Sequence, residues 1–320
     1  MIKQLISFGN LKSASTLTNK IITFDIETLI KNNIMIPYLI KWFDGEIENS
    51  YFIKDFESSE LMIIQAVKDL MVRKYDNYQV YIHNLANFDG IFLLKILTEL
   101  GDIKPIIHHK DLISIGFKFN GYTITFRDSL QMLIVSLWKL GKSFNVLTQK
   151  SIFPHSFVNE NNLDYIGPVP DFKYFDNILI NEYNEYKSKF NNSNWNLKME
   201  AIEYCGTDVV SLYQVIVKFN NLIFDLFKIN IHKYPTLSSL AFAIYRTHFL
   251  KKDEIAQITG QIEKDIRQGY TGGAVDMYIP KALEGVKIFS YDVNSLYPTM
   301  MSEWEMQVGK PTFFKGDILK

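Results

Sequence analysis

Ile21-Ile22-Thr23-Phe24-Asp25-Ile26-Glu27 is the stretch whose reading decides the fold. Its apolar, β-favouring start predicts a short buried strand that ends at Asp25. Asp25 and Glu27 stand two residues apart, so along an extended chain both carboxylates point to the same side. Two like charges held together against a buried strand are costly unless a cation compensates them. A hard divalent ion such as Mg²⁺ or Mn²⁺ prefers oxygen donors of this kind. Taken alone, Asp-x-Glu is also what an ordinary surface strand end looks like.

Working outward, residues 79–82 predict a second strand, followed by His83-Asn84-Leu85-Ala86-Asn87-Phe88-Asp89-Gly90. An apolar helix carrying Ile91, Leu94 and Leu97 opens there, which places Asp89 at a helix start near a strand end; simple helix capping would account for an acid there too. Between the strands, residues 60–72 have helical spacing through Leu61, Ile64, Val67 and Met71. Asn120-Gly121, flanked by alternating runs at 112–119 and 122–126, predicts a tight hairpin whose turn residues need positive φ. A polar, Asn-rich stretch over 159–196 reads as a long surface insertion. After it, Ile202, Cys205, Val209, Leu212, Ile216 and Phe219 recur at steps of three and four, one face of a helix. Tyr204 and Asp208 lie one turn apart on that helix, beside the apolar stripe. Strands mixed with helices give an α/β domain. Asp25, Glu27, Asp89 and Asp208 together suit a site for two divalent ions roughly 3.5–4 Å apart. Tyr204 is placed to orient a water there.

The composition is that of a globular chain: 320 residues, 47% hydrophobic and 22% charged, with a net charge of −1. Such a balance argues against a passive nucleic-acid coat, which would be strongly basic. A single cysteine excludes a disulfide framework and a thiolate zinc site. No apolar run approaches the roughly 18 residues that a membrane span needs. Residues 1–20 carry three lysines and no acid, a weakly transit-like leader that lacks arginine.

The three acidic segments resemble the exonuclease motifs of family B DNA polymerases, the tyrosine-bearing branch of the four-carboxylate 3′→5′ exonucleases with a ribonuclease H-like fold. That resemblance implies that Asn84 and Phe88 hold single-stranded DNA, with His83 and Phe92 in support; an aromatic face stacks on an unpaired base. Ser129-Leu130 resembles the single-strand motif of protein-primed members. Lys150-Ser151-Ile152-Phe153 resembles their motif with a lysine three residues before a hydrophobe, where Lys150 would steady a phosphate oxygen or the attacking water.

Tyr270-Thr271-Gly272-Gly273 resembles the Tyr-x-Gly-Gly segment that joins exonuclease and polymerase domains, where the glycines allow close approach to a template strand. Asp292-Val293-Asn294-Ser295-Leu296-Tyr297-Pro298 resembles motif A of the protein-primed type. By that likeness Asp292 would bind the metal that holds the incoming triphosphate, in company with Val293, Ser295 and Leu296. Tyr297 would pack under the sugar. The second carboxylate motif and the fingers lysine have no match. The expected organisation is therefore a leader at 1–20, an exonuclease domain at 21–230 with a boundary near 231–235, a linker at 231–280, and the beginning of a palm at 281–320, opening with a strand at 286–293. The implied function is a protein-primed DNA-directed DNA polymerase with proofreading, of which this would be a fragment. Its partners would be single-stranded and primer-template DNA, a deoxynucleoside triphosphate and a terminal priming protein, without a membrane. A mitochondrial linear plasmid is the expected home, a virus in host cytoplasm the alternative. A stand-alone exonuclease and a non-catalytic half of a split polymerase are the rival readings.

Overall fold

The computed structural model describes residues 6–7, 9–108, 111–146, 152–176, 178–251, 256–257, 259–273 and 275–305. The chain forms two compact units, a smaller one from residues 1–12 and 246–320 and a larger one from residues 13–245. In the smaller unit β1 (Ile6–Ser7) pairs antiparallel with Ala256–Gln257, and helices cover Gln261–Gln268 and Leu296–Glu303. The strand expected at 286–293 is not there. Those residues are irregular, and Val286, Ile288, Phe289, Tyr291 and Val293 are all exposed. A strand needs a partner to satisfy its backbone, and no described strand lies beside this one. The following helix does carry Pro298 in its first turn.

The larger unit is built on a seven-stranded mixed sheet. Its strands are β2 (Ile21–Lys31), β3 (Ile34–Phe43), β4 (Glu48–Phe52), β5 (Tyr78–Ile82), β6 (Asp102–His108), β7 (Asp111–Phe119) and β8 (Tyr122–Asp128), in the order β4-β3-β2-β5-β8-β7-β6. The pairs β2–β5 and β5–β8 are parallel, and the rest are antiparallel. The β7–β8 hairpin turns at Asn120 (φ 49°) and Gly121 (φ 83°), the positive values that such a turn demands.

Strand β2 runs on past Asp25 to Lys31, further than the sequence predicts. Its parallel pairing with β5 stops at Thr23, while its antiparallel pairing with β3 continues to the end. The sheet therefore splits at Asp25, which leaves one side of β2 open for other groups.

Helices α1 (Ser59–Leu70) and α2 (Asp89–Leu100) cover one face of the sheet, packing on Ile22, Phe24, Ile26, Val80 and Ile82. Val67, Met71 and Leu97 are buried and Ile64 and Leu94 pack on the core as expected, but the buried faces are wider than the expected stripes and leave out their first members. Leu61 and Ile91 are exposed, whereas Met62, Ile63, Ala66, Leu70, Leu93 and Ile96 are buried. Both helices are apolar over more than one stripe, so spacing alone left the phase open. Downstream come α3 (Leu137–Ser143), α4 (Ile180–Ser188), α5 (Leu197–Phe227) and α6 (Leu237–His248).

Helix α5 covers the other face. Asn196 caps it, accepting from Met199 N at 3.2 Å, and Lys228 ends it in the left-handed conformation. Among the described residues it is the one helix long and apolar enough to cross a membrane. Its apolar stripe, through Cys205, Val209, Leu212 and Ile216, is spent on the sheet.

The Asn-rich insertion is not a loose excursion. Leu163, Phe175, Tyr183, Tyr186 and Trp195 from it, with Phe153 and Val158 just ahead of it, pack as a second core against Tyr38, Leu39, Phe52 and the start of α5. Trp195 is fully buried and its indole N–H donates to the Tyr186 hydroxyl at 2.7 Å. The asparagines bond locally around the turns, as Asn159 and Asn162 do, while the aromatics between them turn inward.

The leader and the boundary also depart from expectation. Residues 14–18 are tied down: Ala14 N donates to Lys228 O at 2.7 Å, and Asn230 bridges Thr16 and Thr18. Ile231 and Leu240 are buried in the core beside α5, so the expected boundary at 231–235 falls inside the larger unit.

Candidate metal centre

Alternation along β2 puts Ile22, Phe24 and Ile26 towards α1 and α2, and Thr23, Asp25 and Glu27 towards α5. The Thr23 hydroxyl donates to Val209 O of α5 at 2.7 Å, which draws the helix down beside the acids. Asp208 and Tyr204 then come from α5, one turn apart. Asp89 comes from the first residue of α2, and it is 2% exposed. It does not cap its own helix. Its Oδ1 accepts from Ile26 N at 3.1 Å, the backbone group that β2 leaves open once its pairing with β5 has ended. The four acids expected from the sequence thus converge from one strand and two helices.

Burial, joined at three of them by repulsion from Asp25, pushes all four carboxyls above their ordinary values. Burial, then Asp25, Asp208 and Asp89, push the Glu27 carboxyl well above its ordinary range. Burial, then Asp25, raise Asp89 despite its backbone hydrogen bonds. Burial raises Asp25, opposed by hydrogen bonds from Cys205 and Ile26. Asp208 is pushed up to about 7 by burial and Asp25, against a hydrogen bond from the Tyr204 hydroxyl. Such a group of partly desolvated acids favours either protons or a compensating cation. Carboxylate oxygens of Asp25 and Glu27 and the Cys205 sulfur lie within 4.8 Å of one another. The Cys205 thiol, raised by burial, keeps its proton and donates to Asp25 Oδ2 at 3.5 Å. The donor set is therefore hard oxygen, which fits Mg²⁺ or Mn²⁺ and not a soft metal.

The residues expected on the substrate side are placed as follows. His83 Nδ1 lies 2.9 Å from Ser129 Oγ, and Ser129 Oγ donates to Ile82 O at 3.1 Å. Ser129 is fully buried, so it fixes His83 and is not itself a surface that a strand can touch. Leu130 and Asn84 are half-buried. Asn84 has φ 74°, and its side chain accepts from Asn87 at 2.9 Å. Phe88 and Phe92 meet edge to face at 6.1 Å, both half-buried. Lys150 lies outside the described residues.

Three contributors had no sequence signal. Asp128, 2% exposed, accepts from the backbone N–H groups of Asn84, Ala86 and Leu130 at 2.9–3.0 Å and so shapes the turn that leads to Asp89. Lys41 lies beneath the site, pairing with Glu48 and donating to Ile202 O of α5 at 3.0 Å. His155, just ahead of the insertion, packs edge on to Tyr204 at 4.8 Å with Nδ1 3.9 Å from Glu27 Oε2. Only the Lys41 register opposite Asp25 on β3 was in principle readable, once the pairing was known.

In the smaller unit the expected residues are not gathered into a site. Tyr270 is 80% and Tyr297 77% exposed, and Asp292, Val293, Ser295 and Leu296 are exposed as well. A side chain placed on Gly272 or Gly273 would meet nothing within 4 Å, so nothing here calls for glycine at either position.

A family model of type B DNA polymerases, organellar and viral, matches residues 69–320. The chain belongs to that family. Two curated fungal relatives share its sequence along most of its length. A probable DNA polymerase of Neurospora intermedia is 40% identical over 93% of this chain and 33% of its own length. Another from Ascobolus immersus is 37% identical over 97% of this chain and 26% of its own length. This type B polymerase chain thus spans a third or less of those relatives. Among solved structures it is similar to phi29 DNA polymerase complexed with primer-template DNA, with a TM-score of 0.51 and 16% identity, covering 79% of this chain and 40% of that one. That likeness is one of fold.

Proposed function

We propose that the larger unit is a 3′→5′ exonuclease acting on single-stranded DNA, and that residues 270–298 belong to the DNA-directed polymerase site that it proofreads. The observation that carries the first part is the convergence of Asp25, Glu27, Asp89 and Asp208, all raised in pKa, on one oxygen-lined centre. These residues would hold two Mg²⁺ or Mn²⁺ ions, which when bound supply Lewis acidity and an activated water for phosphodiester cleavage. The chain's own groups do the rest. Tyr204 is kept protonated by burial and the nearby acids and hydrogen-bonds Asp208, so its hydroxyl oxygen is held as a fixed acceptor for orienting the attacking water. His155 walls the same space. The edge-to-face pair Phe88 and Phe92 offers a ring for stacking an unpaired base, and Asn84 an amide for a phosphate.

The polymerase reading is favoured over a stand-alone exonuclease by the family match, which includes Tyr270 to Gly273 and Asp292 to Pro298. In the whole enzyme, Asp292 would serve the metal that holds the triphosphate, and Tyr297 would sit under its sugar. We place the protein in a mitochondrion, on a linear plasmid primed by a terminal protein; the organellar half of the family description and the protein-primed form of the Asp292 segment support that reading.

The test is degradation of a 5′-labelled single strand by the 320-residue chain. Shortening from the 3′ end one nucleotide at a time with Mg²⁺ or Mn²⁺, and none in EDTA, is the expected outcome. Shortening from the 5′ end, or undiminished in EDTA, contradicts the assignment.

A further inference from the structure

Beside the four acids lies a residue with no evident use. Tyr38 of β3 is 1% exposed, and its hydroxyl has no hydrogen-bond partner among the described residues. Its ring is fixed edge to face on Phe52 at 6.3 Å. A tyrosine in an apolar pocket normally gives its hydroxyl a partner. Phenylalanine would fill this space without leaving a polar group unsatisfied.

The backbone explains how Tyr38 comes to point where it does. The β2–β3 register runs from Glu27↔Leu39 directly to Thr28↔Pro37, so Tyr38 is the extra residue of a β-bulge opposite Glu27. In a regular strand Tyr38 and Leu39 would face opposite sides of the sheet. Here both are buried in the core on the α5 side. Bulges re-aim side chains in this way and are common next to active sites. Besides burial, the groups that bear on the Tyr38 hydroxyl are, in order, Glu27, Cys205, Tyr204 and Asp25, two of the four acids and two of their neighbours. A phenolic hydroxyl carries one proton to donate.

We propose that Tyr38 is a positioning residue for the metal centre, its hydroxyl donating to the Glu27 carboxylate when ions draw the acids together. The inference rests on the metal-binding reading above and adds to it the group that orients Glu27. The orphaned hydroxyl of the ion-free protein is then satisfied on metal binding. A partner that orients a ligating carboxylate typically changes metal affinity or activity 10–100-fold.

Tyr38→Phe keeps the ring and its packing on Phe52, so the fold is retained. The decisive readout is Mn²⁺ binding to the full chain, followed by the loss of the free-ion electron paramagnetic resonance signal, with Asp25→Ala as the control that loses binding. The expected result is at least about a 10-fold weaker Mn²⁺ affinity in Tyr38→Phe, with the ion-free melting temperature unchanged or higher. Affinity within two-fold of the parent overturns the proposal. So does a lower ion-free melting temperature, since that would mean the hydroxyl already has a partner. A parent that binds no Mn²⁺ overturns the metal reading and this inference with it. A parent that binds Mn²⁺ without degrading DNA overturns the exonuclease reading and leaves the Tyr38 result standing on its own.

Discussion

At Asp208 the structure makes a commitment about pH. In the unfolded chain this carboxyl has the ordinary value of 3.8, whereas in the fold it is pushed up to about 7. A raised acid favours the folded state while it is protonated, and that contribution is lost as pH rises through the folded value. Glu27, Asp89 and Asp25 shift in the same direction. Buried His232 pulls the other way: lowered to about 4 by burial, it costs stability only below its unfolded value of 6.5. His83 and His155 are lowered likewise, also chiefly by burial. Asp44, lowered to about 2 beside Lys74, contributes a constant amount at neutral pH. Between pH 6.5 and 8 the acids therefore decide the slope. In EDTA the melting temperature falls across that window, and the stabilisation by Mn²⁺ grows with pH as the ligands shed their protons. Melting curves that stay flat in EDTA over the same range contradict this account of the acids. Asp25, Glu27, Asp89, Tyr204 and Asp208 were readable because each follows a run whose strand or helix period is clear. Asp128 was not, since its partners are backbone N–H groups that carry no sequence signature. His155 was not, since it reaches Tyr204 only through the folding of the segment ahead of the insertion.

Among the elements, the seating of α5 on the sheet controls the site, and Gly206 lets it sit there. A Cβ at Gly206 would collide with the Lys41 amine and press on Glu48. Lys41, on the strand beside β2, donates to Ile202 O, two residues before Tyr204. It ties the helix to the sheet close to Tyr204 and Asp208. Gly206→Ala brings a helix-propensity gain of about 1 kcal/mol but displaces a buried amine from both of its partners, a loss of about 1–3 kcal/mol or more for a charged group. The balance falls on destabilisation, by about 1–2 kcal/mol in urea unfolding, and metal-dependent degradation drops further than stability does. An unchanged or raised urea midpoint with full activity shows that Lys41 gives way freely, and removes it from the account. The elements themselves were largely legible: the hairpin from Asn120-Gly121, α5 from its stripe, β2 and β5 from their apolar runs. Their phases were less so. Leu61 and Ile91 sit on apolar helices with more than one possible buried face, and tertiary packing left those two outside while burying Val67, Met71 and Leu97. The bulge at Tyr38 is set by pairing between strands and has no local signal.

On the scale of the whole molecule, the larger unit carries a covered sheet, three hydrophobic clusters and a gathered site. The smaller unit holds the Tyr270 to Gly273 and Asp292 to Pro298 segments in exposed, largely irregular backbone. Motif reading picked out both sets of residues in the same way, because residue types and spacings are local. It overstated the second set, because a strand at 286–293 needs neighbours that the motif does not name. The fold and the acids of the larger unit therefore bear the weight of the functional reading, and they are where it is most exposed to test. Asp25→Ala combined with Glu27→Ala removes the two acids on β2 while leaving the cores intact. Measured as Mg²⁺-dependent removal of 3′ nucleotides from a single strand, this variant is expected to lose activity by at least about 1,000-fold, equivalent to about 4 kcal/mol in barrier, with its melting temperature in EDTA unchanged or raised by the relief of like charges. Degradation at the parent's rate by a clean preparation of the double variant would contradict the four-carboxylate site outright.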